Sequence, residues 1–135
     1  MDSSTRLTFL ALVLVQASHS IEEYAFALYD VFPPARFASG LLSSDLATGF
    51  AILNSAFVAF GVACYLGPVR SGWASARGWV WLWTLIELVN GLAHPILALR
   101  AGGYFPGMAT APVLFVLALY LATRLLASRQ PQAEA

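Results

Sequence analysis

Apolar side chains fall into four long runs along this chain, each ended by glycine, proline, arginine or a polar stretch. The first extends from about Leu7 to Tyr29 and is followed by Pro33-Pro34, where proline disfavours helix in the residue before it. The second covers 46–66 and stops at Gly67-Pro68. The third covers 78–99, opening with Trp79, Trp81 and Trp83 and closing at Arg100-Ala-Gly-Gly. The fourth covers 108–126, and the polar stretch at 127–135 is expected to be a flexible tail. Runs of about 19–23 residues are long enough to cross a ~30 Å hydrocarbon layer at ~1.5 Å per residue. Inside hydrocarbon the backbone must satisfy its own hydrogen bonds, which selects helices over strands. The pattern therefore predicts an all-α fold, a single-domain integral membrane bundle of four transmembrane helices. No internal repeat or low-complexity tract interrupts it.

Polar residues break the runs at few places, and those places share a logic. His19, Glu22 and Glu23 lie at i, i+3 and i+4 in the first run, with Gln16 one turn before them. Glu87, Asn90 and His94 lie at i, i+3 and i+7 in the third, and Asn54 lies in the second. An ionisable side chain at the centre of a membrane helix costs roughly 2.5–3.5 kcal/mol on insertion scales, so each is a functional candidate. If consecutive helices alternate in direction, His19, Glu22, Glu23, Asn54, Asn90 and His94 arrive in one half of the membrane, with Glu87 near its midplane. The bland reading, interhelical hydrogen bonding that fixes packing, contributes only about 0.6 kcal/mol per pair. Two adjacent acids are a costly way to obtain it, because like charges resist joint ionisation.

Composition agrees with the membrane reading. Of 135 residues, 59% are hydrophobic and 10% charged, where a soluble domain carries about a quarter charged; the mean hydropathy is +0.73. The formal net charge is zero, the seven basic residues are all arginine, and no basic run exists, which argues against nucleic acid as a partner. Cys64 is the single cysteine, so no intrachain disulfide forms and a cysteine-based metal site is not expected. Arg6, Arg70, Arg77, Arg124 and Arg129 flank one set of span ends, and only Arg36 and Arg100 the other. This excess predicts both termini on the cytoplasmic side of an inner or plasma membrane, with the polar groups in its outer half. Trp79 and Trp81 suit an interfacial belt, and Asp45 suits a helix cap. Arg6, the run LTFLALVLV and Val15-Gln16-Ala17 also resemble a signal peptide cleaved after Ala17. The apolar pattern continues to Tyr29, which favours an uncleaved span.

His19-x-x-Glu22-Glu23, then Asn90-x-x-x-His94, then Tyr104-x-Pro106-Gly107, in that order, resemble the HXXEE family of small bacterial and archaeal membrane proteins. The motifs cover residues 19–107. The resemblance implies that His19, Glu22, Glu23, Asn90, His94 and Tyr104 belong to one site, and it implies no particular reaction.

The residue types suggest three kinds of chemistry. Neighbouring carboxyls in a low dielectric can hold one protonated and one ionised member, giving a proton donor and an acceptor for acid–base catalysis. Glu22 or Glu23 would then supply the proton, His19 or His94 would tune or receive it, and Asn90 and Tyr104 would orient a lipid-like or isoprenoid-like substrate. Alternatively, His19, Glu22, Glu23, Glu87 and His94 suffice to hold a divalent metal such as Zn, Mn or Fe. Their spacing departs from the Glu-x-x-His stripe of di-iron bundles. In the alternative of a different class, the same acids serve a proton or ion relay in a transporter or accessory subunit, for which a homodimer is a compatible assembly.

Overall fold

The structure is a computed structural model and describes residues 1–128; of the tail predicted at 127–135, Ala127 is still helical and 129–135 lies outside the described residues. The described residues form helices and no strand. Helix α1 spans Ser3–Ala25, and the Asp2 carboxylate caps it by accepting from Thr5 N–H at 2.7 Å. The predicted run to Tyr29 is not one helix. Ala27 adopts the left-handed conformation at φ +53°, and two further helices follow, α2 at Leu28–Val31 and α3 at Pro33–Leu42. Hydrophobic periodicity cannot register that break, because apolar residues continue on both sides of it. Pro33 and Pro34 also act opposite to the prediction. They open α3, since the first turn of a helix has no acceptor for the N–H that proline lacks.

Helix α4 spans Leu46–Cys64 and is capped by Asp45, as its position suggested. Gly67-Pro68 does not stop the chain here. A π-helical turn at Tyr65–Val69 carries the helical path past Pro68, its wider hydrogen-bonded ring tolerating a residue without an N–H. Helix α5 spans Ala76–Ala101 with Pro95 inside it, and Gly102 closes it in the left-handed region at φ +70°. Helix α6 spans Ala111–Ala127, so residues 108–110 of the fourth run belong to the preceding turn.

The four long helices pack up-down-up-down. Asp2 meets Arg124 and Ser4 meets Tyr120 at one end of the α1–α6 pair, and His19 meets Thr110 at the other. Ser20 contacts Asn54, and the position where Gly61 would carry a Cβ lies 3.1 Å from Val13, so α1 and α4 are antiparallel too. Helices α1 and α5 therefore stand diagonally opposite and run parallel. Trp83 fills the space between them, fully buried, stacked on Phe57 with centroids 4.6 Å apart and edge-on to Phe9 at 6.4 Å. It is a core residue, not part of a belt. Glycines set two close approaches. A Cβ at Gly49 would lie 2.1 Å from the Ser39 carbonyl oxygen of α3, and one at Gly91 would lie 2.6 Å from Phe115 Cβ of α6.

The outward faces are apolar on all four long helices, for example Leu7, Leu14 and Ile21 on α1 and Leu85, Val89 and Leu99 on α5. By length and composition, two stretches are apolar enough to cross a membrane, the 24 residues Leu46–Val69 and the 26 residues Ala76–Ala101. Helix α6 is apolar but has 17 residues, and α1 is interrupted by its polar cluster.

Candidate functional site: a buried histidine–glutamate centre

Helices α1 and α5 turn His19, Glu23, Glu87 and His94 into the bundle axis. Their exposures are 0%, 8%, 0% and 5%. A single oxygen, Glu23 Oε1, lies 3.3 Å from His19 Nε2 and 3.3 Å from His94 Nε2. The two imidazoles meet edge to face, with centroids 4.7 Å apart. The two helices supply one ring each because they are parallel diagonal neighbours, and i, i+4 spacing puts Glu23 one turn above His19.

The loop between α5 and α6 closes over these rings. Pro106 carbonyl oxygen lies 2.6 Å from His94 Nδ1, and Thr110 Oγ1 lies 2.6 Å from His19 Nδ1. Gly107 between them has φ +90°, and a Cβ there would lie 2.6 Å from the His94 ring and 2.7 Å from the His19 ring. Only glycine combines that backbone conformation with that contact.

Glu22 does not join the centre, although the resemblance implied one site for it with His19 and Glu23. The 100° between consecutive residues sends Glu23 inward and Glu22 toward α6. There its carboxylate accepts from Ala109 N–H at 2.9 Å, Thr110 N–H at 3.0 Å and the Thr110 hydroxyl at 2.6 Å, and from the Tyr104 hydroxyl. Tyr104 is half exposed and reaches Glu22, not the histidines. Partial burial and the Glu22 carboxylate push its phenol up to about 12.

Glu87 sits behind Asn90. Asn90 Nδ2 donates to Glu87 Oε2 at 3.3 Å, and Asn90 Oδ1 lies 3.0 Å from His94 Nε2. The Gln16 amide presents one atom to Glu87, 3.0 Å from Oε2 and 3.2 Å from Oε1. An ionised Glu87 needs the amide NH2 there. A protonated Glu87 would instead donate to the amide oxygen, leaving the NH2 for Ser20 Oγ at 3.1 Å and the Ser20 hydroxyl for Asn54 Oδ1 at 2.8 Å. The Gln16 amide thus has one orientation for each protonation state of Glu87. Asn54, Ser20, Gln16, Glu87, Asn90 and His94 form one row of polar contacts through the bundle.

Among the described residues, His19, Glu23 and His94 are the group able to hold a metal ion, with one ligand atom each and all within 4.8 Å of one another. Glu22 and Glu87, the other two candidate ligands, lie outside it, occupied by loop donors and by the amides of Gln16 and Asn90. Sequence reasoning missed Thr110, Ser20 and the Pro106 carbonyl. Thr110 precedes Ala111-Pro112, a helix-start signal that marks a capping residue, though here its hydroxyl serves Glu22 and His19 instead.

Comparison with known proteins returns no matching curated protein and no matching solved structure. A family model described as a protein of unknown function with HXXEE motif matches residues 10–122, and its namesake motif is His19-x-x-Glu22-Glu23. The match covers most of the chain, including every residue of the buried centre and the loop that closes it, so this protein belongs to the HXXEE family.

Proposed function

We propose that this chain is a four-span intramembrane enzyme that carries out acid–base chemistry on a lipid-like substrate at the His19–Glu23–His94 centre. The observation that carries the reading is Glu23 Oε1 held 3.3 Å from two histidine nitrogens in the interior of a bundle whose exterior is apolar. Ionisable groups in such surroundings are retained where function needs them. One carboxylate between two imidazoles can accept and return a proton without a large movement of atoms. In this reading α1 and α6 join the two longer helices as spans, the termini face the cytoplasm, and the centre lies in the outer half. Tyr104 and Glu22 hold the closing loop, and Asn90 positions His94.

A lipid-like substrate is favoured by a groove of about 510 Å³ between α1 and α4, lined by Ala17, Ile21 and Val58 with Ser20, Asn54 and Ser55 among its polar members. An acyl or isoprenoid chain fits such a lining, and Ser20 connects it to Gln16 and Glu87. Untargeted lipid profiling of a deletion strain tests the proposal. A lipid species should change in the deletion and return with the wild-type gene but not with Glu23→Gln. Identical profiles in deletion and wild type would rule the reading out.

The polar row from Asn54 to His94 favours a second reading, a proton relay. It requires that reconstituted protein dissipate an imposed pH gradient and that Glu87→Gln stop it.

A further inference from the structure

The outer hydrogen bonds of the two histidines decide which ring nitrogen faces the centre. Pro106 offers His94 Nδ1 only a carbonyl oxygen, so Nδ1 carries a proton. The Thr110 hydroxyl donates to Glu22 Oε2 at 2.6 Å, so its oxygen is left to accept from His19 Nδ1 at 2.6 Å. Both rings are thereby set with Nε2 pointing inward. Around that point stand His19 Nε2, His94 Nε2, Glu23 Oε1 and, 3.0 Å from His94 Nε2, Asn90 Oδ1. None of these offers a donor while the rings are neutral and Glu23 is ionised. His19 Nε2 belongs to a side chain with no exposure and makes no hydrogen bond. Four electron-rich atoms facing one another repel unless something positive lies between them.

We infer that His19 Nε2, His94 Nε2 and the Glu23 carboxylate form a three-ligand site for a divalent cation of the zinc class. The inference goes beyond acid–base chemistry by the side chains alone, which needs no metal. Ligand atoms at about 2.0–2.2 Å from a tetrahedral ion stand roughly 3.3–3.6 Å apart, against roughly 2.8–3.1 Å around an octahedral one. Both Nε2–Oε1 separations are 3.3 Å, at the tetrahedral value. Two histidines and one carboxylate leave the fourth position for water or a substrate oxygen, the arrangement that catalytic rather than structural zinc requires. The outer partners complete the pattern. Ligating histidines donate their second N–H to a carbonyl or to a carboxylate-linked group, which fixes tautomer and ring orientation. Here Pro106 does this for His94, and Glu22 does it through Thr110 for His19. Glu22, the first glutamate of the motif, acquires a reason in this scheme, since it positions a ligand instead of being one.

The rival arrangement places protons where the ion would be, with both rings doubly protonated around one carboxylate. Calorimetric titration of the purified full chain in detergent, first stripped with a chelator and then given zinc chloride, separates the two. One zinc per chain is expected, with affinity lost in Glu23→Gln and reduced ~10–100-fold in Thr110→Val. The absence of saturable one-to-one binding to the wild type overturns the inference, and so does wild-type affinity in Glu23→Gln. Should Glu23→Gln fail to fold, Thr110→Val decides alone, because α6 makes no side-chain cap with Thr110 and its start survives the change. The two proposals fail separately. Lipid turnover that survives chelation removes the metal and leaves the enzyme, whereas stoichiometric zinc with an unchanged lipid profile does the reverse.

Discussion

At the residue scale, adjacent glutamates have unlike tasks because one helical step separates them by 100°. Glu23 meets the rings and Glu22 holds the loop that keeps the rings in place. The most exacting residue is Gly107. Gly107→Ala should lower the thermal midpoint in detergent by the equivalent of about 1–3 kcal/mol, the cost of a strained left-handed residue. The rings cannot retreat to relieve its contacts, because both are held by their Nδ1 atoms. A midpoint equal to wild type would show that the loop does not press on the histidines. Tyr104 offers a pH test. Its folded value of about 12 lies above the ordinary phenol value near 10. A raised value means that the Tyr104–Glu22 tie contributes fully below pH ~10 and is lost as pH rises through about 12. In alkaline absorbance titration, the phenolate that disappears in Tyr104→Phe should be one that ionises late; ionisation near 10 would contradict the tie.

At the element scale, small residues set how closely helices approach. Gly91 lets α5 lie against the backbone of α6, and that approach aligns His94 with the loop leading into α6. Gly91→Ala should destabilise the fold by about 1–3 kcal/mol through overpacking. Phe115→Ala should not rescue it, since the added methyl meets Phe115 Cβ, Cα and N, none of which that change removes. Rescue in the double variant's thermal midpoint would place the clash in the aromatic ring instead. Helix α3 illustrates what periodicity does not see. Its turn signals, Pro33-Pro34 after Phe32, were in the chain, but proline marks a helix start as readily as a helix end. The choice depends on Ser39 docking on Gly49, a contact between residues ten positions apart.

At the scale of the whole molecule, an apolar exterior surrounds an interior that combines a hydrophobic core with one buried polar cluster. Such a cluster under an apolar exterior suits a protein solvated by lipid, where polar groups gain by facing one another. The start of α1 and the end of α6 lie at the same end of the bundle, where Asp2 meets Arg124 and Ser4 meets Tyr120. Reporter fusions after Ala127 and within the Ser43-Ser44 turn should therefore report opposite faces of the membrane. Reports from the same face would overturn the four-span topology.

The sequence by itself determined the helical class, the four principal helices to within a few residues, and the short roster of polar residues inside the apolar runs. It could do so because apolar run length and isolated charges are local properties, legible without knowing where anything packs. Counting residues along alternating helices led to the expectation that Asn54, Asn90 and His94 share a depth, and the structure links Asn54, Ser20, Gln16, Glu87, Asn90 and His94 in one row of polar contacts. Tertiary structure alone decided which glutamate faces the histidines, that Thr110 and the Pro106 carbonyl fix their rings, and that Gly107 must be glycine. Those facts depend on rotation about the helix axis and on a loop brought back from beyond α5. Neither is written in any stretch short enough to read as a pattern.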